Sequence, residues 1–321
     1  MPFITDRDKA GTLISDAYAK GVSVALFCTG SFWNTEAILR AADSFAKEHG
    51  IERIPVVVAM TSHYSHMQQT ARVTRSGSHK VGFRSLLEYC RSLTEGAYAP
   101  YPNVAAMTHL DHGDPKADEW EMTECLDLLS SVMFDAQTYP FEENLHMTSE
   151  YVRRYGDRVL VEGIVEGLAV GDGTQAVQRD DYIPKAVDFI KTTGVDFLVA
   201  DLGTEQQSTG TDGKYLKDRA QVLTKELGRP MLVLHGVSSL KDEDIKGFSE
   251  DGVVRVNMWT RIVRESGRYA AARLSERAGR IAEGDFEATE ATAYINDNID
   301  EAARIMYGIM GQLGYAGLAS R

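Results

Sequence analysis

Cysteine is scarce in this 321-residue chain. Cys28, Cys90 and Cys125 are odd in number, far apart, and form no C-x-x-C pair, which points to a reducing compartment and a cytoplasmic location. Positive charge is also in deficit: 34 Lys and Arg face 47 Asp and Glu, a net charge of −13. Such a surface repels phosphate backbones, so no nucleic-acid partner is expected. No run of about 18 apolar residues is present, and no membrane span is expected. The opening MPFITDRDKAG has no apolar stretch of the kind a secretory signal needs. Low-complexity segments and linker-like stretches are missing too, and no G-x-G-x-x-G follows the first apolar run, which weakens a dinucleotide-binding fold.

What is present is globular: 43% hydrophobic and 25% charged residues. The length admits two small domains or one barrel of roughly 250 residues with additions. Eight short apolar runs decide between them, at 22–28, 55–60, 104–110, 131–135, 158–165, 197–201, 231–235 and 252–257. They are nearly continuous instead of alternating, as expected for parallel strands buried on both faces. Amphipathic helical patterns lie between most of them. In 35–49, Ile38, Leu39, Ala42, Phe45 and Ala46 share one face; 182–193 and 218–227 behave similarly, and Pro140 followed by FEENL reads as a helix start. Eight β–α alternations predict a single α/β domain over 1–321, a (β/α)8 TIM barrel, with an open doubly wound sheet as the alternative. Residues 62–103 read as a long insertion after the second strand, with a helix near 83–94. Residues 285–321 read as a C-terminal helical extension packed outside the barrel or on a second subunit.

Barrel chemistry collects where the strands end. The third run ends in His109-Leu110-Asp111-His112-Gly113, the fourth at Asp135, the seventh in His235-Gly236-Val237-Ser238 and the eighth at Asn257; the fifth carries Glu162, with Glu166 just beyond. Three of the eight histidines therefore sit at two strand ends that converge on one mouth. Imidazoles beside carboxylates there are the ingredients of a divalent-metal site with an acid/base partner. Gly236 and Ser238 fit a short loop whose N–H groups cradle a phosphate, or a plain turn. Arg72, Arg75, Lys80 and Arg84 in the 62–103 segment read as a solvated face taken singly and as an anion contact taken together. Trp33 and Trp259 lie near strand ends, where they fit either stacking on a substrate or, for Trp33, core packing.

In order along the chain, HLDHG, SSVMFDAQTYPFEENL, VLVEG, GVDFLVADLGT, MLVLHGVSS and VVRVNMWT resemble the strand-end segments of the class II, metal-dependent fructose- and tagatose-bisphosphate aldolases. The resemblance covers most of the chain after residue 104 and implies a TIM barrel, a Zn2+ cofactor, a homodimer or homotetramer, and a small carbonyl or sugar-like substrate. It implies Asp111 as the acid/base at the substrate hydroxyl, His112 and His235 as two of three zinc ligands, Gly236, Ser238 and Thr260 as phosphate contacts, and Asn257 as the residue steadying the donor ketone. A carboxylate in the loop after the fifth strand, Asp172 or Glu166 here, would move the carbon-bound proton. The chain departs from the family pattern at the third ligand, where Gln206 stands for histidine and Glu205 is the neighbouring carboxylate. It departs again at Gly163-Ile164, which lacks a second carboxylate, at Val237, and at Trp259 in place of an aspartate. These departures keep two other readings open: a metal-independent isomerase, epimerase or transaldolase-like enzyme, and a non-catalytic sugar-phosphate-binding homologue.

Overall fold

The computed structural model describes residues 2–168, 181–208 and 210–319. Its strands are β1 (Phe3–Ile4), β2 (Val24–Cys28), β3 (Ile54–Met60), β4 (Val104–Gly113), β5 (Ser131–Phe134), β6 (Leu160–Ile164), β7 (Phe197–Val199), β8 (Leu232–Leu234) and β9 (Val253–Met258). β2 to β9 pair in chain order, all parallel, and β2 pairs with β9. The eight strands therefore close into a barrel, which an open doubly wound sheet cannot do. Each corresponds to one of the eight apolar runs. β1 has only two residues, too few to carry a periodicity. It pairs with β4 at Ala106 and Met107, on the stretch of that strand before β5 joins at His109.

The helices follow from the same patterning. α1 (Arg7–Ala19) touches β2, β3, β6 and β9 and so crosses the end of the barrel where strands begin. There Arg7 bonds the Gly156 carbonyl and pairs with Asp196 at 2.6 Å. α2 (Phe32–His49) starts where the Ser31 hydroxyl accepts from the Asn34 N–H, and all five residues of its expected apolar face are buried. Two short helices, α3 (Gln69–Arg72) and α5 (Glu119–Thr123), lie in the loops after β3 and β4. α4 (His79–Thr94), α6 (Phe141–Tyr155), α7 (Tyr182–Thr193) and α8 (Lys217–Leu227) are crossover helices. α4 packs on α2 and β4, so within 62–103 the length beyond an ordinary crossover is the loop that precedes it. At the C-terminal end come α9 (Thr260–Ala282), α10 (Phe286–Thr289) and α11 (Ala291–Gln312), and α11 packs along α2 and α9. Beyond α11 the Tyr315 phenol donates to Pro55 O and accepts from Ala25 N, both at 2.9 Å, tying the tail to β3 and β2.

Inside the barrel the packing is polar. His109, Ser131, Glu162 and Arg255 are all but completely buried. The Arg255 guanidinium pairs with Glu162, donates to Ser131 Oγ at 3.1 Å, and lies 4.5 Å over the Phe197 ring. His109 Nδ1 is 2.8 Å from the same Ser131 hydroxyl. Burial pulls Arg255 down to about 9, the direction expected for a cation taken out of water. A buried pair of this kind adds little net stability while intact, but removing one partner strands the other charge. Glu162→Ala should therefore lower the free energy of unfolding by about 3–5 kcal/mol, and Glu162→Gln by less, because an amide oxygen still accepts from Arg255. Urea denaturation of the two variants measures the difference.

Candidate active site

At the other end of the barrel, where strands finish, is a cleft that is partly open to solvent. Cys28, Tyr64, Met67, Asp111, His112, Gln206, Gln207, His235, Gly236, Ser238, Asn257, Met258, Trp259 and Thr260 line it. Successive side chains of a strand point to opposite faces, yet the neighbours Asp111 and His112 both face the cleft. The β4–β5 register slips between Leu110 and Gly113, and His112 has a φ of 50°. This left-handed turn in a non-glycine residue stores strain and swings the imidazole round beside the aspartate. Gln207, with φ 55°, is the only other non-glycine residue with positive φ among the described residues, and it lines the same cleft. Gly236 has φ 71°, and a Cβ there would fall 2.7 Å from the Glu205 backbone, so only glycine lets the β8 loop pass this closely.

Asp111 sits at the centre. Its Oδ1 accepts from Asn257 Nδ2 at 3.2 Å, its Oδ2 faces the Cys28 thiol at 3.5 Å, and His109 Nε2 is 3.9 Å away. Burial, then the Asp111 charge, pushes the Cys28 thiol well up, so it stays protonated beside the carboxylate. His112 Nδ1 is 2.7 Å from Asp135 Oδ2, which leaves Nε2 for another partner. Burial opposes a charge on His112, but Asp111 and the Asp135 hydrogen bond outweigh it and hold the imidazole above its ordinary range. His235 behaves in the opposite way: burial brings it down to about 4, so it is neutral near pH 7. Asn257 Nδ2 is 2.9 Å from His235 Nε2 and so links His235 to Asp111.

The aromatic wall of the cleft is Tyr64, from the loop after β3. Its ring stacks on His112 at 4.1 Å and 5°, and its hydroxyl donates to Gln206 Oε1 at 3.0 Å. Burial, then Asp135 and Asp111, keeps that phenol protonated and hence a donor. No spacing rule finds Tyr64 in sequence, because it reaches the cleft from a loop whose path is set by the barrel. Asp135 is visible as a strand end, but its role as partner of His112 appears only in three dimensions.

The structure brings Asp111, His112, His235, Gln206, Gly236, Ser238, Asn257 and Thr260 into one cleft. Ser238 Oγ accepts from the Arg261 N–H at 3.1 Å, at the start of α9. Glu205 does not line the cleft, and its N–H donates to Ser239. Glu166 also lies off the cleft, near Tyr182, whose phenol its charge helps to raise. Asp172 lies outside the described residues. Trp259 lines the cleft, while Trp33 packs against the core. Arg72, Arg75, Lys80 and Arg84 are exposed, and among the described residues no lysine or arginine lines the cleft.

Asp111, His112 and His235 each offer a ligand atom, all within 4.8 Å of one another. Two imidazoles and a carboxylate suit zinc, and His112 held at Nδ1 by Asp135 has the carboxylate–histidine arrangement that orients a metal ligand. His112 and His235 would hold the ion, with the Gln206 carbonyl oxygen as the neighbouring donor where the family pattern has histidine.

Because His235 titrates near 4 when folded and about 6.5 when unfolded, the unfolded chain binds the extra proton between those values. Metal-free protein should thus lose stability from this residue as the pH falls from about 6.5 to about 4. Chemical denaturation across that range should show a shallower loss for His235→Gln than for the unmodified chain.

Comparison with known proteins gives the family. The family model for fructose-bisphosphate aldolase class-II matches residues 8–317. A fructose-bisphosphate aldolase of Streptococcus pneumoniae is 28% identical over 286 residues, covering 88% of this chain and 85% of the relative. One from Giardia intestinalis is 33% identical over 169 residues, 49% of this chain and 50% of the relative. Among solved structures, the YdjI aldolase of Escherichia coli K12 superposes with a TM-score of 0.64 at 21% identity, covering 95% of this chain and 97% of that one. The fructose-bisphosphate aldolase of Campylobacter jejuni superposes with a TM-score of 0.71 at 16% identity, covering 96% and 95%. The two structural likenesses carry the fold, and the match across 8–317 carries the family: the chain belongs to the class II fructose-bisphosphate aldolase family.

Proposed function

We propose that this protein makes or breaks a carbon–carbon bond next to a carbonyl, with Asp111 as the acid/base. The observation that carries the reading is the placing of Asp111. It is a buried carboxylate facing the cleft, held by Asn257, with His112 and His235 at its side. In the cleavage direction the Asp111 carboxylate takes the proton of the substrate hydroxyl as the carbon–carbon bond breaks and the new aldehyde forms; the bonding pair passes to the carbon next to the donor carbonyl, which then takes up a proton to complete the second product. In the joining direction it returns that proton to the oxygen. A zinc ion held by His112 and His235, with Gln206 adjacent, would polarise the substrate carbonyl as a Lewis acid. Asn257 and Ser238 orient the donor, Trp259 and Met67 exclude water from one side of it, and Tyr64 fixes the plane of His112. The small carbonyl substrate is sugar-like, and a phosphate on it would be recognised by Gly236, Ser238 and Thr260.

The exposed apolar residues Tyr269, Leu274, Phe286 and Ile295 on α9 to α11 fit the homodimer or homotetramer that the family resemblance implies.

Asp111→Asn should lower turnover by about 10²–10⁴-fold while leaving the fold intact. The assay follows cleavage of a ketose panel, read as release of the aldehyde product. Purified protein should carry zinc that His112→Ala loses, and a chelator should abolish activity. Full activity in excess EDTA would transfer the reading to a metal-independent isomerase or epimerase. Unchanged turnover in Asp111→Asn would remove the acid/base assignment altogether.

A further inference from the structure

A second cluster lies under the loops after β3 and β4, and the reaction above does not use it. His63, Asp118 and Glu121 each present a ligand atom within 4.8 Å of the others. Asp118 and Glu121 are 0% and 1% exposed, and neither has a lysine or arginine ion-pair partner among the described residues. Buried carboxylates left without a counter-charge are costly. The positive groups at hand are imidazoles. His63 Nδ1 is 2.7 Å from Asp118 Oδ1, and its ring stacks on His79 at 3.8 Å. The rest of the shell is already oriented: Asp118 accepts the N–H groups of His63 and Asp114, and Glu121 accepts the Ser62 hydroxyl.

From this arrangement we infer a second divalent-cation site, made by His63, Asp118 and Glu121 and distinct from the Asp111–His112–His235 group. One imidazole with two carboxylates suits zinc or manganese better than calcium or magnesium, which prefer oxygen alone. The cation supplies the charge that the two buried carboxylates lack. It also ties the loop after β3 to α5, and the residue after His63 is Tyr64, whose ring lies on His112. The second site thus anchors the aromatic wall of the cleft without touching the reacting groups.

Isothermal titration of chelator-stripped protein with zinc chloride tests this, with metal content read by mass spectrometry. The unmodified chain should take up about two equivalents. Glu121→Gln, which keeps the bond from Ser62, and His63→Gln, at a half-buried position, should each take up one, retained at the other cluster. His112→Ala should lose the other equivalent and keep this one. Thermal melts of each variant show whether it is folded. Two equivalents retained in both folded Glu121→Gln and His63→Gln would overturn the inference. So would uptake by the unmodified chain of a single equivalent that is unaffected by those two substitutions. Loss confined to His112→Ala bears on the aldolase-type metal site alone, so the two readings fail separately.

Discussion

Two adjacent side chains of one strand have to face the same cleft, and the site depends on how β4 manages it. A regular strand would send Asp111 into the barrel and turn His112 out toward the helices. The slip in the β4–β5 register and the left-handed backbone at His112 remove that conflict. The strain is held in place from outside, by Asp135 on the Nδ1 side of the ring and by Tyr64 across its face. Strand closure then does the remaining work: because β2 and β9 meet, Cys28 and Asn257 arrive beside Asp111 from strands far apart in the chain.

Below the cleft, the barrel is filled by a charged and hydrogen-bonded layer. Arg255 and Glu162 neutralise each other, Ser131 joins Arg255 to His109, and His109 approaches Asp111 from below. The layer connects the rigid interior to the Asp111 carboxylate, so the position of Asp111 is fixed by packing on several strands at once. Above it, neighbouring imidazoles behave in opposite ways. His112 has two carboxylates beside it and is held up, whereas burial dominates at His235 and brings it down. A neutral His235 offers a lone pair, and a restrained His112 offers a defined direction. Both are properties a metal ligand needs.

Much of this was legible in the chain itself. The eight apolar runs are the eight barrel strands because a parallel strand covered on both faces must be apolar nearly throughout. The histidines and carboxylates at run ends marked the mouth because a barrel gathers all strand ends at one place. Residues in the loops after β3 and β4 escaped. Tyr64 and the partners of His63 sit in loops, whose course no periodicity encodes. Within 62–103 the helix near 83–94 is the crossover helix α4 (His79–Thr94), and the added length lies in the loop before it.

The order of strands and helices and the polar residues that end them were determined by the sequence alone, because they rest on local periodicity. Which of those polar residues meet was decided by tertiary structure. Gln206 reaches the cleft and Glu205 turns away from it, although they are neighbours in the chain. The difference is one of backbone direction after β7, fixed by contacts with the β8 loop where Gly236 passes against Glu205. Nothing in the order of residues carries that information, because it depends on two segments thirty residues apart packing at van der Waals distance.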